Sequence, residues 1–221
     1  MIQEKIKTIK SGLPECVRLV AVSKYHPIEA IQEAYDAGQR IFGESKVQEM
    51  TQKYEALPKD IEWHFIGHLQ TNKIKYMAPY VTLIHGVDSY KLLAEINKQA
   101  AKVDRIIPCL LQIHIAQEET KFGFSTDECR AMLNEGAWKT LNNVRIAGVM
   151  GMATNTENEE QIAQEFETLS HFFREVKETH FTHDPNFKEI SMGMSDDYPI
   201  AIDHGSTLIR IGSRIFGERI Y

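Results

Sequence analysis

Eight short apolar runs, separated by amphipathic or polar stretches, recur along the whole chain. They fall at residues 17–22, 40–42, 61–66, 83–85, 107–113, 144–149, 189–191 and 208–211, several of them rich in β-branched side chains. Between them, residues 28–37, 89–102, 127–134 and 157–179 space apolar side chains three and four apart and put charges on the opposite face. Strands alternating with helices predict a parallel sheet, because parallel neighbours need a crossover between them. Eight such units without a break in composition predict a single (β/α)8 TIM barrel, an α/β fold whose helices form an outer ring. A chain of 221 residues suits one such domain, 1–221, and the short tail after Ile211 leaves no room for a second.

With 43% hydrophobic residues the chain can fill such a core. Its net charge of −6, with both signs interspersed, offers no basic face for a phosphate backbone, so no nucleic-acid partner is expected. Cys16, Cys109 and Cys129 are far apart and odd in number, which suggests neither a disulfide framework nor a zinc ribbon and fits a reducing compartment. The opening MIQEKIKTIKSGLP is charged throughout and lacks a signal peptide's apolar centre, and no later run is long enough to span a bilayer. The expectation is a cytoplasmic protein with no membrane partner.

Reacting groups in such barrels come from the carboxyl ends of the strands. Lys24 directly follows VRLVAVS and would stand at the mouth of the barrel, where poor solvation lowers an amine's pKa and makes it a better nucleophile toward a carbonyl. The alternative is an ordinary first-turn lysine facing solvent. The segment from Ser191 to Arg219, SMGMSDDYPIAIDHGSTLIRIGSRIFGER, puts small and hydroxyl residues after strand seven (Gly193, Ser195) and after strand eight (Gly212, Ser213). Those are the places where barrels bind phosphate through backbone N–H groups and a helix N-terminus, although two plain turns would read the same. Asp196 and Asp197 read as helix N-terminal charges, since a carboxylate would repel phosphate. Arg210 interrupts the apolar run LIRIG, and a buried guanidinium needs an acceptor: a ligand's ring nitrogen or carboxylate, or a barrel glutamate. His64 reads as a satisfied interior histidine, and its four-residue spacing to His68 does not converge on a metal when the residues lie on a strand.

AVSKYHP around Lys24, FGESKVQE from Phe42, WHFIGHLQTNK from Trp63, GVMGMA from Gly148, and SMGMSDD with GSTLIRIGSRIFGER together resemble the pyridoxal phosphate homeostasis proteins, and the barrel is similar to the N-terminal domain of alanine racemase. The resemblance spans nearly the whole chain. It implies that Lys24 holds pyridoxal 5'-phosphate (PLP) as a Schiff base, that Ser195 with the backbone amides of Gly212 and Ser213 contacts the phosphate, and that Arg210 faces the pyridine nitrogen. Arginine leaves that nitrogen unprotonated and the ring a weaker electron sink. Met150 and Met152 lie where alanine racemase stacks a histidine on the ring, so they form a wall of the site or plain core; Met194 in SMGMSDD is a further cofactor neighbour. One departure is Ser45, which stands where the family's FGEN has asparagine, so no contact is carried over there. The racemase's second base is implied to come from a C-terminal β-domain that has no counterpart here. The expected function is therefore non-catalytic carriage or buffering of PLP in vitamin B6 homeostasis, by a monomer that passes the cofactor to PLP-dependent apoenzymes, with no metal.

Overall fold

The computed structural model describes residues 1–119 and 122–217, so Glu218 and Arg219 of the FGER motif lie outside it. Eight parallel strands close into a barrel in sequence order, with β8 returning to β1. The strands are β1 (Arg18–Val22), β2 (Ile41–Glu44), β3 (Glu62–Phe65), β4 (Leu83–Val87), β5 (Ile107–Gln112), β6 (Val144–Met150), β7 (Glu189–Ser191) and β8 (Leu208–Ile211). The helices are α1 (Ile2–Ser11), α2 (Ile28–Asp36), α3 (Val47–Ala56), α4 (Ile74–Met77), α5 (Tyr90–Lys102), α6 (Thr126–Glu135), α7 (Glu159–His180), α8 (Tyr198–Asp203) and α9 (Ser213–Phe216).

Helix starts follow local chemistry. Ser89 caps α5 by accepting the Leu92 N–H, and Ser125 with Glu128 closes a capping box on α6, each pairing a backbone donor the helix itself cannot satisfy. Three strands run further than the apolar pattern predicts: β2 continues through Gly43 and Glu44, β4 through Gly86 and Val87, and β6 to Met150. The glycines that read as strand ends are instead sites of close approach. A Cβ on Gly86 would lie 2.8 Å from the Gly67 carbonyl oxygen, and one on Gly67 would lie 2.6 Å from that of Ser45.

Two cores result from the strand alternation. Outward-facing side chains such as Phe42, Trp63, Phe65 and Ile84 pack under the helices in one large cluster. Inward-facing Val20, Ile41, Leu83, Leu110, Ala147, Met150 and Leu208 fill the barrel interior. The same inner surface carries polar residues that are at least nine-tenths buried, among them His64, His85, Glu189, Ser191 and Arg210.

Candidate functional site

The register of β1 and β8 assembles the mouth of the barrel. Ala21 sits opposite Ile211, and one residue further on Gly212 abuts Val22, where a Cβ would come within 3.2 Å of the Val22 carbonyl oxygen. Lys24, half-buried in the turn after β1, follows Val22 by two residues, and α9 begins directly after Gly212. His26 stacks on Phe216 of α9 at 4.9 Å and fixes that neighbourhood from the other side. Ser213 Oγ donates to Ser195 Oγ at 3.1 Å, which joins the loops after β7 and β8. The first backbone N–H groups of α9 have no intrahelical partner and belong to the same loop as the Ser213 hydroxyl. Lys24, Ser195, Gly212 and Ser213 are thus collected at adjacent strand ends.

Asp197 occupies the N-cap of α8 as expected, but its Oδ1 accepts the Met194 N–H at 2.6 Å and folds the loop back on itself. The Met194 side chain remains exposed, while Met150 is fully buried in the inner cluster and Met152 packs against it nearer the mouth. Ser45 is half-buried and lines a separate cavity of about 240 Å³ with His68 and Lys73.

Deeper in the barrel, Arg210 donates to Ser191 Oγ at 2.5 Å and to the Gly151 carbonyl at 3.2 Å. The glutamate that could have paired with it, Glu189, is taken by Arg18 at 2.6 Å, and Arg210 has no ion pair among the described residues. Burial lowers Arg210 to about 10, opposed by the charge of Asp197, so it stays protonated near neutrality. A buried cation without a carboxylate, carrying more N–H groups than the two bonds use, fits a ligand acceptor at the inner end of the site.

Ser191 continues the chain to His85 Nδ1 at 2.8 Å, and His85 Nε2 meets His64 Nδ1 at 2.9 Å. The ordering that gives each proton an acceptor runs Arg210 to Ser191 to His85 to His64; the reverse would strand the serine hydrogen. Burial pushes His64 down to about 3, helped by Arg18, and holds His85 well below the ordinary imidazole range, with His64, Arg210 and Arg18 adding to the effect. Both rings are neutral at physiological pH. His64 is therefore the satisfied interior residue the sequence suggests, and His68 is elsewhere, stacked on Phe122 at 4.1 Å. No group of three metal-ligating side chains occurs among the described residues. His85 and Ser191 carry no sequence signal beyond a polar residue at an inward strand position.

A second polar group lies under the Lys24 turn. Glu44 at the end of β2 accepts from Ser23 Oγ at 2.6 Å and from Lys53 Nζ at 2.7 Å, and all three residues are buried. Burial pushes Glu44 up to about 7 against the pull of the Lys53 charge and its hydrogen bonds. Removing one partner of such a buried pair costs about 3–5 kcal/mol. FGESKVQE contains Glu44 and Glu49, and the four-residue step from Glu49 to Lys53 is the available sequence signal for this cluster.

The profile of the alanine racemase N-terminal domain matches residues 1–220. The pyridoxal phosphate homeostasis protein of Aquifex aeolicus is 39% identical over 93% of this chain and 89% of its own length. The chain belongs to this family. Among solved structures of the family, PipY of Synechococcus elongatus with PLP bound superposes with a TM-score of 0.88 at 35% identity, covering 98% of this chain and all of that one. Alanine racemase of Clostridium difficile shares the fold at a TM-score of 0.77 and 13% identity, and this chain spans 56% of its length. No helix among the described residues is long and apolar enough to cross a membrane.

Proposed function

We propose that the protein binds PLP covalently at Lys24 and serves PLP homeostasis as a carrier or buffer, a single-domain cytoplasmic monomer that hands the cofactor to apoenzymes. The observation that supports this reading is the packing of Gly212 on Val22, two residues before Lys24, at the barrel end that also carries the Ser195–Ser213 hydroxyl pair, with Arg210 on β8 lacking an ion pair among the described residues. PLP supplies an aldehyde for Schiff-base attachment and a ring that draws electrons from it. Ser195 Oγ, Ser213 and the amides of Gly212 and Ser213 would hold the phosphate, and Arg210 would donate to the ring nitrogen. Met150 would form the floor of the site and Met194 an outer edge. The family's membership by name, and PipY's structure with PLP bound, support the choice of cofactor.

The neutral histidines bear on what the site does. Among the described residues, the chain behind Arg210 offers no acid to protonate a ring nitrogen, since both His85 and His64 resist protonation and Arg210 keeps its own proton. An unprotonated ring stabilises a carbanion poorly, which favours holding the cofactor over transforming an amino acid. The test is spectroscopic. Wild-type protein incubated with PLP and desalted should keep a visible absorption band that borohydride fixes on Lys24, and Lys24→Ala should lose it. A band that persists in Lys24→Ala and is trapped on another lysine overturns the assignment.

A further inference from the structure

The residues on either side of Lys24 are tied to one point. Lys53 Nζ donates to the Ser23 carbonyl at 2.8 Å, to Glu44 Oε1 at 2.7 Å and to Glu49 Oε1 at 2.7 Å, which commits all three ammonium hydrogens. Glu49 Oε1 in turn accepts the Tyr25 N–H at 2.6 Å. Tyr25 has φ +67°, and it shares a positive φ with only Asp104 among the described non-glycine residues. A residue with a Cβ resists that region, and a bulky aromatic has none of the local hydrogen bonding that lets asparagine or aspartate enter it.

We propose that Glu49, held in place by Lys53, is a positioning residue for Lys24: it fixes the left-handed turn at Tyr25 and so fixes where the Lys24 amine emerges at the barrel mouth. The charge-assisted bond from Tyr25 to Glu49 offsets the cost of the turn. Glu49 sits on α3, and the four-residue step places it on the same helix face as Lys53, from whose ammonium it accepts a hydrogen bond. The arrangement also separates two neighbouring lysines by task. Lys53 is buried with its hydrogens committed, whereas Lys24 sits half-buried at the mouth. Strained backbone held by surrounding structure is common beside reactive groups, where it preorganises them.

This inference rests on Lys24 as the attachment residue, and its test keeps the two apart. The rate at which the visible band forms after PLP is added to apo-protein is compared among wild type, Glu49→Ala and Glu49→Ala/Tyr25→Gly, with thermal midpoints measured alongside. Glu49→Ala should slow band formation about tenfold, the penalty the left-handed region places on a residue with a Cβ. Adding Tyr25→Gly should restore the rate to within about threefold of wild type, because glycine enters that region freely. A loss of packing around Lys53 alone would not be repaired by a glycine at position 25, which can relieve only the strain of the turn. The proposal is overturned if Glu49→Ala forms the band at the wild-type rate, or if the double variant stays as slow as the single one. Absence of any band in wild type would instead overturn the assignment of Lys24.

Discussion

At the scale of single residues, the interior histidines show how a buried polar chain affects stability. His64 is held to about 3 and His85 well below the ordinary range, both chiefly by burial, whereas in the unfolded chain each titrates near 6.5. As the pH falls through 6.5 the unfolded chain takes up protons that the folded one refuses, so stability is lost from there down toward 3 for His64. Replacing His64 with glutamine keeps an acceptor for His85 and removes one titration. Between pH 7 and pH 5, urea unfolding of wild type should lose roughly 2 kcal/mol more than that of His64→Gln. Glu44, raised to about 7, has the opposite slope in both proteins and cancels. Equal acid limbs would mean that His64 accepts a proton in the fold. Of these residues the sequence made Lys24, Ser195, Gly212 and Arg210 legible, because strand ends and an arginine in an apolar run are visible in one dimension. His85, Ser191 and Lys53 were not, since their meaning lies in contacts such as Ser191 to His85, separated by 106 positions.

At the scale of elements, the eight apolar runs map onto the eight strands, with β7 and β8 matching to the residue. The errors share a cause. Glycine reads as a stop in a pattern, and here it permits strand continuation where neighbours crowd, the Val20 and Ile66 side chains at Gly43 and the Gly67 backbone at Gly86. The helices α8 and α9 leave little periodicity in the sequence because each is short, at 6 and 4 residues, and buries a single side chain, so only the Asp196–Asp197 pair signals a helix start there. Gly148 in GVMGMA is the most demanding of these positions. Its φ is +151°, and a Cβ would stand 1.8 Å from the Glu189 carbonyl oxygen on β7, next to the register shift between β5 and β6. No rotamer relieves a clash with backbone. Gly148→Ala should therefore lower the unfolding free energy by about 3 kcal/mol or prevent folding, as read from the urea midpoint. A cost within about 0.5 kcal/mol, the range of an ordinary surface change, would show that β6 and β7 can separate freely.

At the scale of the whole molecule, the barrel separates a reactive mouth from an interior that is filled and whose histidines stay neutral. Lys24, Ser195 and Ser213 cluster at the carboxyl ends of the strands, where the loops are free to vary without disturbing the core. Behind them the interior is closed by Met150 and Leu208 and by the chain from Arg210 to His64, which ends at a cavity of about 220 Å³ at the amino ends of the strands. That chain supplies hydrogen bonds but no mobile proton, because its arginine keeps one and its histidines decline one. On the proposed reading, such a site would bind an aldehyde cofactor without promoting loss of a proton from an attached amino acid. Ordinary enzymes turn over about 10 times per second. Protein loaded with PLP and given L-alanine should change its chirality at least about a thousandfold more slowly than that, a further barrier of about 4 kcal/mol. Turnover at the ordinary rate, dependent on Lys24, would mean that the interior does not restrain the ring and that the protein is an enzyme.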